Sequence, residues 1–227
     1  MLPVLSYLAF APGLFLIVIF YFVDREKEPL TLIIGTFFAG MAASIPIAFL
    51  EISTQFLFVH LVKNVSSNLA QISYMFLVVG PVEEVLKFGA VMAVVFASRQ
   101  FNEWYDGILY AMVASLGFAT LENIIYVIPG GPTVGLVRFF LSVPAHALFG
   151  GIMGFFLSGA KFSNKTFPWL LGALLIPAFL HALFDAFLVS GMTIISFMVI
   201  PLSIVMWFFL ILAIRKGWKL RAAPTKI

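Results

Sequence analysis

The 227-residue sequence has no cysteine. Disulfides, thiolate-bound zinc and a cysteine nucleophile are therefore excluded. Charge is scarce: 10% of the residues are Asp, Glu, Lys or Arg, against about 25% in an ordinary soluble domain. Only three histidines are present. There is no internal repeat, no low-complexity stretch and no polar segment long enough to fold as a soluble domain. What remains is apolar, with 63% hydrophobic residues and a mean hydropathy of +1.12. A single globular core of this size cannot hide that much apolar surface, so the chain reads as an integral membrane protein.

A bilayer core about 30 Å thick takes roughly 20 apolar residues per helix. Charged and turn-rich breaks divide the sequence into about seven candidate segments, near 2–23, 30–59, 70–97, 105–128, 134–158, 168–189 and 192–214. The fold expected is all-α, a polytopic transmembrane helix bundle in one integral-membrane domain over 1–227, with its motifs in 80–190. The first segment reads as a retained helix: no basic residue precedes it and it is too long for a signal core. Arg25, Lys27, Arg99, Lys161, Lys165 and the tail residues Arg215, Lys216, Lys219, Arg221 and Lys226 fall on one side of this topology. Lys63 and Arg138 fall on the other, and Lys87 lies inside a segment. The positive-inside rule then places the C-terminus in the cytoplasm and the N-terminus outside. The basic tail, 215–227, most simply rests against anionic lipid.

Ionisable residues inside such segments are costly and are usually paired or functional. The third segment carries Glu83, Glu84 and Lys87 in Gly80-Pro81-Val82-Glu83-Glu84-Val85-Leu86-Lys87. At i,i+4 and i,i+3 the lysine reaches either carboxylate but hardly both equally. Gly80-Pro81 predicts a bend that leaves both glutamates in the first turn of a half-helix. The fourth segment adds Glu122 and Asn123, the fifth His146, and the sixth His181 with Asp185 one turn on. Counted from the outer ends of the segments, Glu83, Glu122, His146 and His181 lie about 9 to 18 Å deep at 1.5 Å per residue, a single layer in the outer half of the bilayer. Asp24, Glu26, Glu28, Glu103 and Asp106 read as interfacial residues; Glu51 and His60 read as interfacial or lining an entrance.

Three chemistries use such a set. An ion or proton pathway strings its acids across the membrane, whereas these gather toward one side. Zinc hydrolysis would use Glu122, His146 and His181 as ligands and Glu83 as base, although the helical His-Glu-x-x-His signature is absent. Metal-free hydrolysis needs a glutamate to deprotonate water and donors for the oxyanion, and one of each is present. A non-enzymatic membrane protein that binds a partner is a further alternative.

Glu83-Glu84-x-x-Lys87, Phe118-x-x-x-Glu122, His146 and His181-x-x-x-Asp185, in that order on successive segments, resemble the PrsW family of intramembrane proteases, within the CPBP group that includes the CAAX prenyl endopeptidases. Ala11-Pro12-Gly13, Glu28-Pro29, Tyr105-Asp106-Gly107-Ile108 and Gly117-Phe118-Ala119-Thr120-Leu121-Glu122-Asn123 carry the resemblance over most of the chain. It implies a glutamic-type protease without cofactor or metal, making the first, extracytoplasmic cut in a single-pass anti-sigma factor within the lipid bilayer of the bacterial cytoplasmic membrane. No nucleic-acid partner is implied. By the same resemblance Glu83 is the water-activating base and Glu84 its partner. His181 and Asp185 bind the oxyanion or scissile amide, and His146 matches the remaining family histidine, with Lys87 and Asn123 in support. The prenyl endopeptidases carry histidine where this chain has Glu122 and Glu-Glu-x-x-x-Arg where it has Glu-Glu-x-x-Lys, so a pairing of Glu83 with His146 or with Glu122 stays open.

Overall fold

The computed structural model describes residues 2–61 and 65–220, and among these there is helix and no strand. Lys63, Arg221 and Lys226 lie outside the described residues, as do the side chains of Glu51 and His60. In chain order the helices are α1 (Leu2–Val23), α2 (Leu30–Leu61), α3 (Ser67–Tyr74), α4 (Gly80–Val91), α5 (Trp104–Val137), α6 (Val143–Phe162), α7 (Thr166–Val189), α8 (Thr193–Ser196) and α9 (Val199–Leu220). Five described stretches are long and apolar enough to cross a membrane: Pro3–Val23, Leu30–Ile47, Trp104–Phe162, Thr166–Val189 and Thr193–Leu220. The 59-residue stretch folds back on itself at Gly131, whose φ of 74° lies in the left-handed region between Pro129 and Pro132. The chain is thus a multi-pass membrane protein.

The expected break at Gly80-Pro81 takes a different form. A π turn over Met75–Val79 joins α3 to α4 without interruption, and Gly80 keeps right-handed helical angles. A second π turn, Arg138–Ser142, precedes Val143-Pro144 at the start of α6. Both wide turns lie just upstream of a proline, whose ring clashes with the carbonyl four residues back and whose nitrogen offers no donor. Widening one turn absorbs both defects, so the helix continues through the proline. The glutamates therefore do not sit at a free helix N-terminus.

The core is built around α5, whose residues 105–120 are all buried. It packs antiparallel to α6 and α2 through glycines. A Cβ on Gly154 would meet Gly107 O at 2.0 Å, and one on Gly40 would meet Ala114 O at 1.9 Å, so the backbones touch directly. Gly80 does the same for α4 against α7, where a Cβ would stand 2.7 Å from Ala178 O. Outward faces stay apolar: Phe22, Phe140, Phe167 and Ile204 are each more than half exposed, as side chains in contact with lipid should be.

The basic residues at one end of the bundle come together. Arg25 lies over the ring of Trp218, Lys216 faces Trp104, and Lys161 donates to the carbonyls of Phe96 and Ser98.

Candidate active site

Four helices bring their ionisable side chains to one buried cluster. Lys87 on α4 is its hub, with no exposed surface. Its ammonium has three N–H donors and three partners: Glu83 Oε2 at 2.9 Å, Glu84 Oε1 at 2.7 Å and His146 Nδ1 at 3.1 Å. The ring of Phe118 faces the same ammonium at 4.2 Å. Lys87 thus holds both carboxylates nearly equally, where helical spacing alone suggested a choice between them. The continuous helix lets its side chain lie between the two.

An ammonium offers no acceptor, so His146 Nδ1 must accept and its proton sits on Nε2. Nε2 faces Glu122 Oε2 at 2.9 Å. Arg138 Nη2 approaches the same oxygen to 3.0 Å. The Arg138 contact is ionic and the contact of the neutral His146 ring is polar; neither Glu122 Oε2 nor Arg138 Nη2 meets hydrogen-bond geometry. Arg138 Nε donates to Asn123 Oδ1 at 2.5 Å, and Asn123 Nδ2 donates weakly to Ala9 O at 3.4 Å. On α7, His181 pairs through Nδ1 with Glu84 Oε1 at 2.9 Å, while Nε2 faces Asp185 Oδ2 at 3.3 Å and Glu83 Oε2 at 3.8 Å. The ring of Phe149 stacks on His181 at 4.7 Å and fixes its plane.

All eight residues singled out from sequence therefore join one network, and Glu122 meets His146 rather than Glu83. Arg138 was read there only as a charge at a segment end, yet it is a member. An arginine within Val134–Phe140, an otherwise apolar run, was the available signal. Replacing Arg138 by Gln leaves Glu122 without its guanidinium. Activity is expected to fall about tenfold and stability by roughly 1–3 kcal/mol, read by cleavage rate and thermal unfolding.

A cleft of about 30 Å³ opens onto Glu122, Arg138, His146, His181 and Asp185, with room for water but not for a peptide. Glu83 and Lys87 lie behind the histidines. Ligand-capable atoms of Glu83, His146 and His181 all lie within 4.8 Å of one another. A water among them could hydrogen-bond to Glu83 and His181 but not to His146, whose lone pair on Nδ1 is taken by Lys87. By residue type the same trio resembles a His₂Glu zinc set. It does not fit one while Lys87 is in place: the ammonium occupies the lone pair of His146 Nδ1, shares Glu83 Oε2, and sets a positive charge beside any cation. Glu122, His146 and His181, the trio suggested by sequence, line the cleft together, with Glu122 Oε2 2.9 Å from His146 Nε2.

The profile of the family described as "PrsW family intramembrane metalloprotease" matches residues 28–214. Protease PrsW of Bacillus subtilis is 37% identical over 215 residues, 93% of each chain. Protease PrsW of Oceanobacillus iheyensis is 33% identical over 220 residues, 96% of this chain and 97% of its own. Protease PrsW of Clostridioides difficile is 33% identical over 190 residues, 80% of this chain and 77% of its own. No solved structure matches.

Proposed function

The chain belongs to the PrsW family of membrane proteases, and from that premise we propose that it makes the first cut in a single-pass membrane anti-sigma factor, using water activated by Glu83. The observation that carries this reading is the convergence of Glu83, His146 and His181 at one buried point, with the Lys87 ammonium against Glu83. Glu83 removes a proton as the water oxygen bonds to the scissile carbonyl carbon. The carbonyl oxygen becomes an oxyanion and takes a hydrogen bond from His181 Nε2, the face that Asp185 orients. The proton then passes from Glu83 to the amide nitrogen, the C–N bond breaks, and a carboxylic acid and an amine are released, the acid's proton passing to the amine to leave a carboxylate and an ammonium. Glu84 shares Lys87 and His181 with Glu83 and keeps both in register. His146, its tautomer set by Lys87, couples the centre to Glu122.

We place the basic end in the cytoplasm, with the N-terminus outside and seven crossings. Glu122 stands nine residues before the Gly131 reversal, about 13 Å of helix, so the cut falls in the outer half of the bilayer. Gathering of Arg25, Lys161 and Lys216 at the far end supports that orientation.

The test uses purified protein in vesicles with a tagged single-pass anti-sigma factor, followed by fragment size. Glu83→Gln should lower cleavage by about 10²-fold or more while the protein melts as wild type does. Cleavage by wild type should survive exhaustive chelation. Cleavage at the wild-type rate by Glu83→Gln removes that residue from its role. Activity lost to chelation and restored by zinc instead supports a metal at the same trio, with Lys87 displaced.

A further inference from the structure

A second cluster of acids lies at the basic end, well away from the site just described. Asp24 and Glu28 flank the turn between α1 and α2, and Asp106 stands in the first turn of α5. Sequence spacing alone gave all three an interfacial reading, but they are 4%, 3% and 0% exposed. One carboxylate oxygen of each lies within 4.8 Å of the others.

Each carboxylate is held from outside. Asp106 Oδ2 accepts from the backbone N–H of Asn102 at 2.7 Å and of Glu103 at 2.6 Å. Glu28 Oε2 accepts from the Tyr110 hydroxyl, and Asp24 Oδ1 from the Glu26 N–H at 3.2 Å. Asp106 has a second oxygen, Oδ1, that is buried and has no hydrogen-bond partner among the described residues. With Oδ2 tied to the helix cap, Oδ1 is the oxygen offered to the cluster. Capping explains one half of this side chain and leaves the other half unexplained.

The basic side chains at this end are engaged elsewhere. Lys27 donates to the carbonyls of Tyr21, Phe22 and Asp24, and Arg25 stacks on Trp218. Lys161 is within electrostatic reach of Asp106, but its ammonium is bonded to Phe96 O and Ser98 O. Two carboxylates as close and as dry as Glu28 and Asp106 need protons or a cation between them.

We propose that Asp24, Glu28 and Asp106 form a binding site for one hard divalent cation, of the Mg²⁺, Mn²⁺ or Ca²⁺ class. Carboxylate oxygens are the ligands such ions take, at about 2.0–2.6 Å. Oxygens within 4.8 Å of one another need contract only by a few tenths of an ångström to reach it. The outer donors, Tyr110 and the two backbone N–H groups, orient the ligands as second-sphere partners do in metal sites. The cation would fasten the α1–α2 turn to the start of α5, the helix that also carries Glu122.

Full-length protein in detergent, stripped with EDTA and returned to chelator-free buffer, is titrated with Mn²⁺ while the electron paramagnetic resonance signal of free Mn²⁺ is followed. One saturable site is expected, displaced by Mg²⁺ and weakened at least tenfold in Asp106→Asn. That substitution also disturbs the helix cap, so Glu28→Gln, which keeps an acceptor for Tyr110, should show the same loss in a protein of unchanged circular dichroism. His146→Gln should bind Mn²⁺ as wild type does. No saturable binding in wild type overturns the proposal and leaves protons as the neutralising species. Binding that survives both carboxylate substitutions, or that disappears with His146→Gln, overturns it too.

Discussion

Lys87→Met is expected to abolish cleavage and to destabilise the protein by about 3–5 kcal/mol. The substitution keeps the length and apolar stem of the side chain but removes three hydrogen-bond donors at once. Glu83 and Glu84 then lose the ammonium that they share in a buried site, and His146 Nδ1 loses the partner that fixes its tautomer. Thermal unfolding in detergent, followed by tryptophan fluorescence, reads the stability, and fragment production in vesicles reads the activity. The double variant Lys87→Met, Glu84→Gln removes one of the stranded charges and should recover part of the stability without activity. A Lys87→Met protein that melts and cuts within twofold of wild type would show that the ammonium is not the hub.

Gly154→Ala has an effect of similar size through packing alone. The new Cβ would stand 2.0 Å from Gly107 O and 2.5 Å from Gly107 C, backbone atoms of a helix buried on every side. No rotamer relieves such an overlap, so α5 and α6 must part, at a cost of about 3 kcal/mol or more. Parting them also separates Glu122 on α5 from His146 on α6, two turns up from the substitution. Activity should therefore fall even where the protein still inserts. Gly89→Ala is the control. A Cβ there has nothing within 4 Å, and alanine favours helix over glycine by about 1 kcal/mol, so stability should hold or rise. Equal stability of the two variants would contradict the direct backbone contact.

The segments near 2–23 and 168–189 could be placed from sequence almost to the residue, because each apolar run ends where charge or turn chemistry begins. Membership of the site was legible for a related reason: a carboxylate or imidazole within such a run has few explanations. Partnership was not. Whether Glu122 meets Glu83 or His146 depends on which helix lies beside α5, and hydropathy carries no information about neighbours. The backbone contacts of Gly40, Gly107 and Gly154 decide that. The burial of Arg138 and of the Asp24–Glu28–Asp106 group was not legible, because a charge close to a segment end has a cheap interfacial explanation. Their burial comes from the turn and the π helix folding inward, which has no sequence period. Gly80-Pro81 was legible as a bend opening a half-helix, but not as the continuous helix it is, since a widened turn accommodates the proline.

The narrowness of the cleft has a kinetic corollary. A space of about 30 Å³ admits a water but not a peptide, and Glu83 does not line it. A substrate strand can enter only while α6 and α7 stand further apart than they do here, and only once its own helix has unwound to offer an extended peptide. The helices lining the entrance carry lipid-facing side chains such as Phe140 and Phe179, so separating them rearranges the surrounding acyl chains. Membrane thickness and fluidity should therefore change the rate at which a substrate strand gains entry.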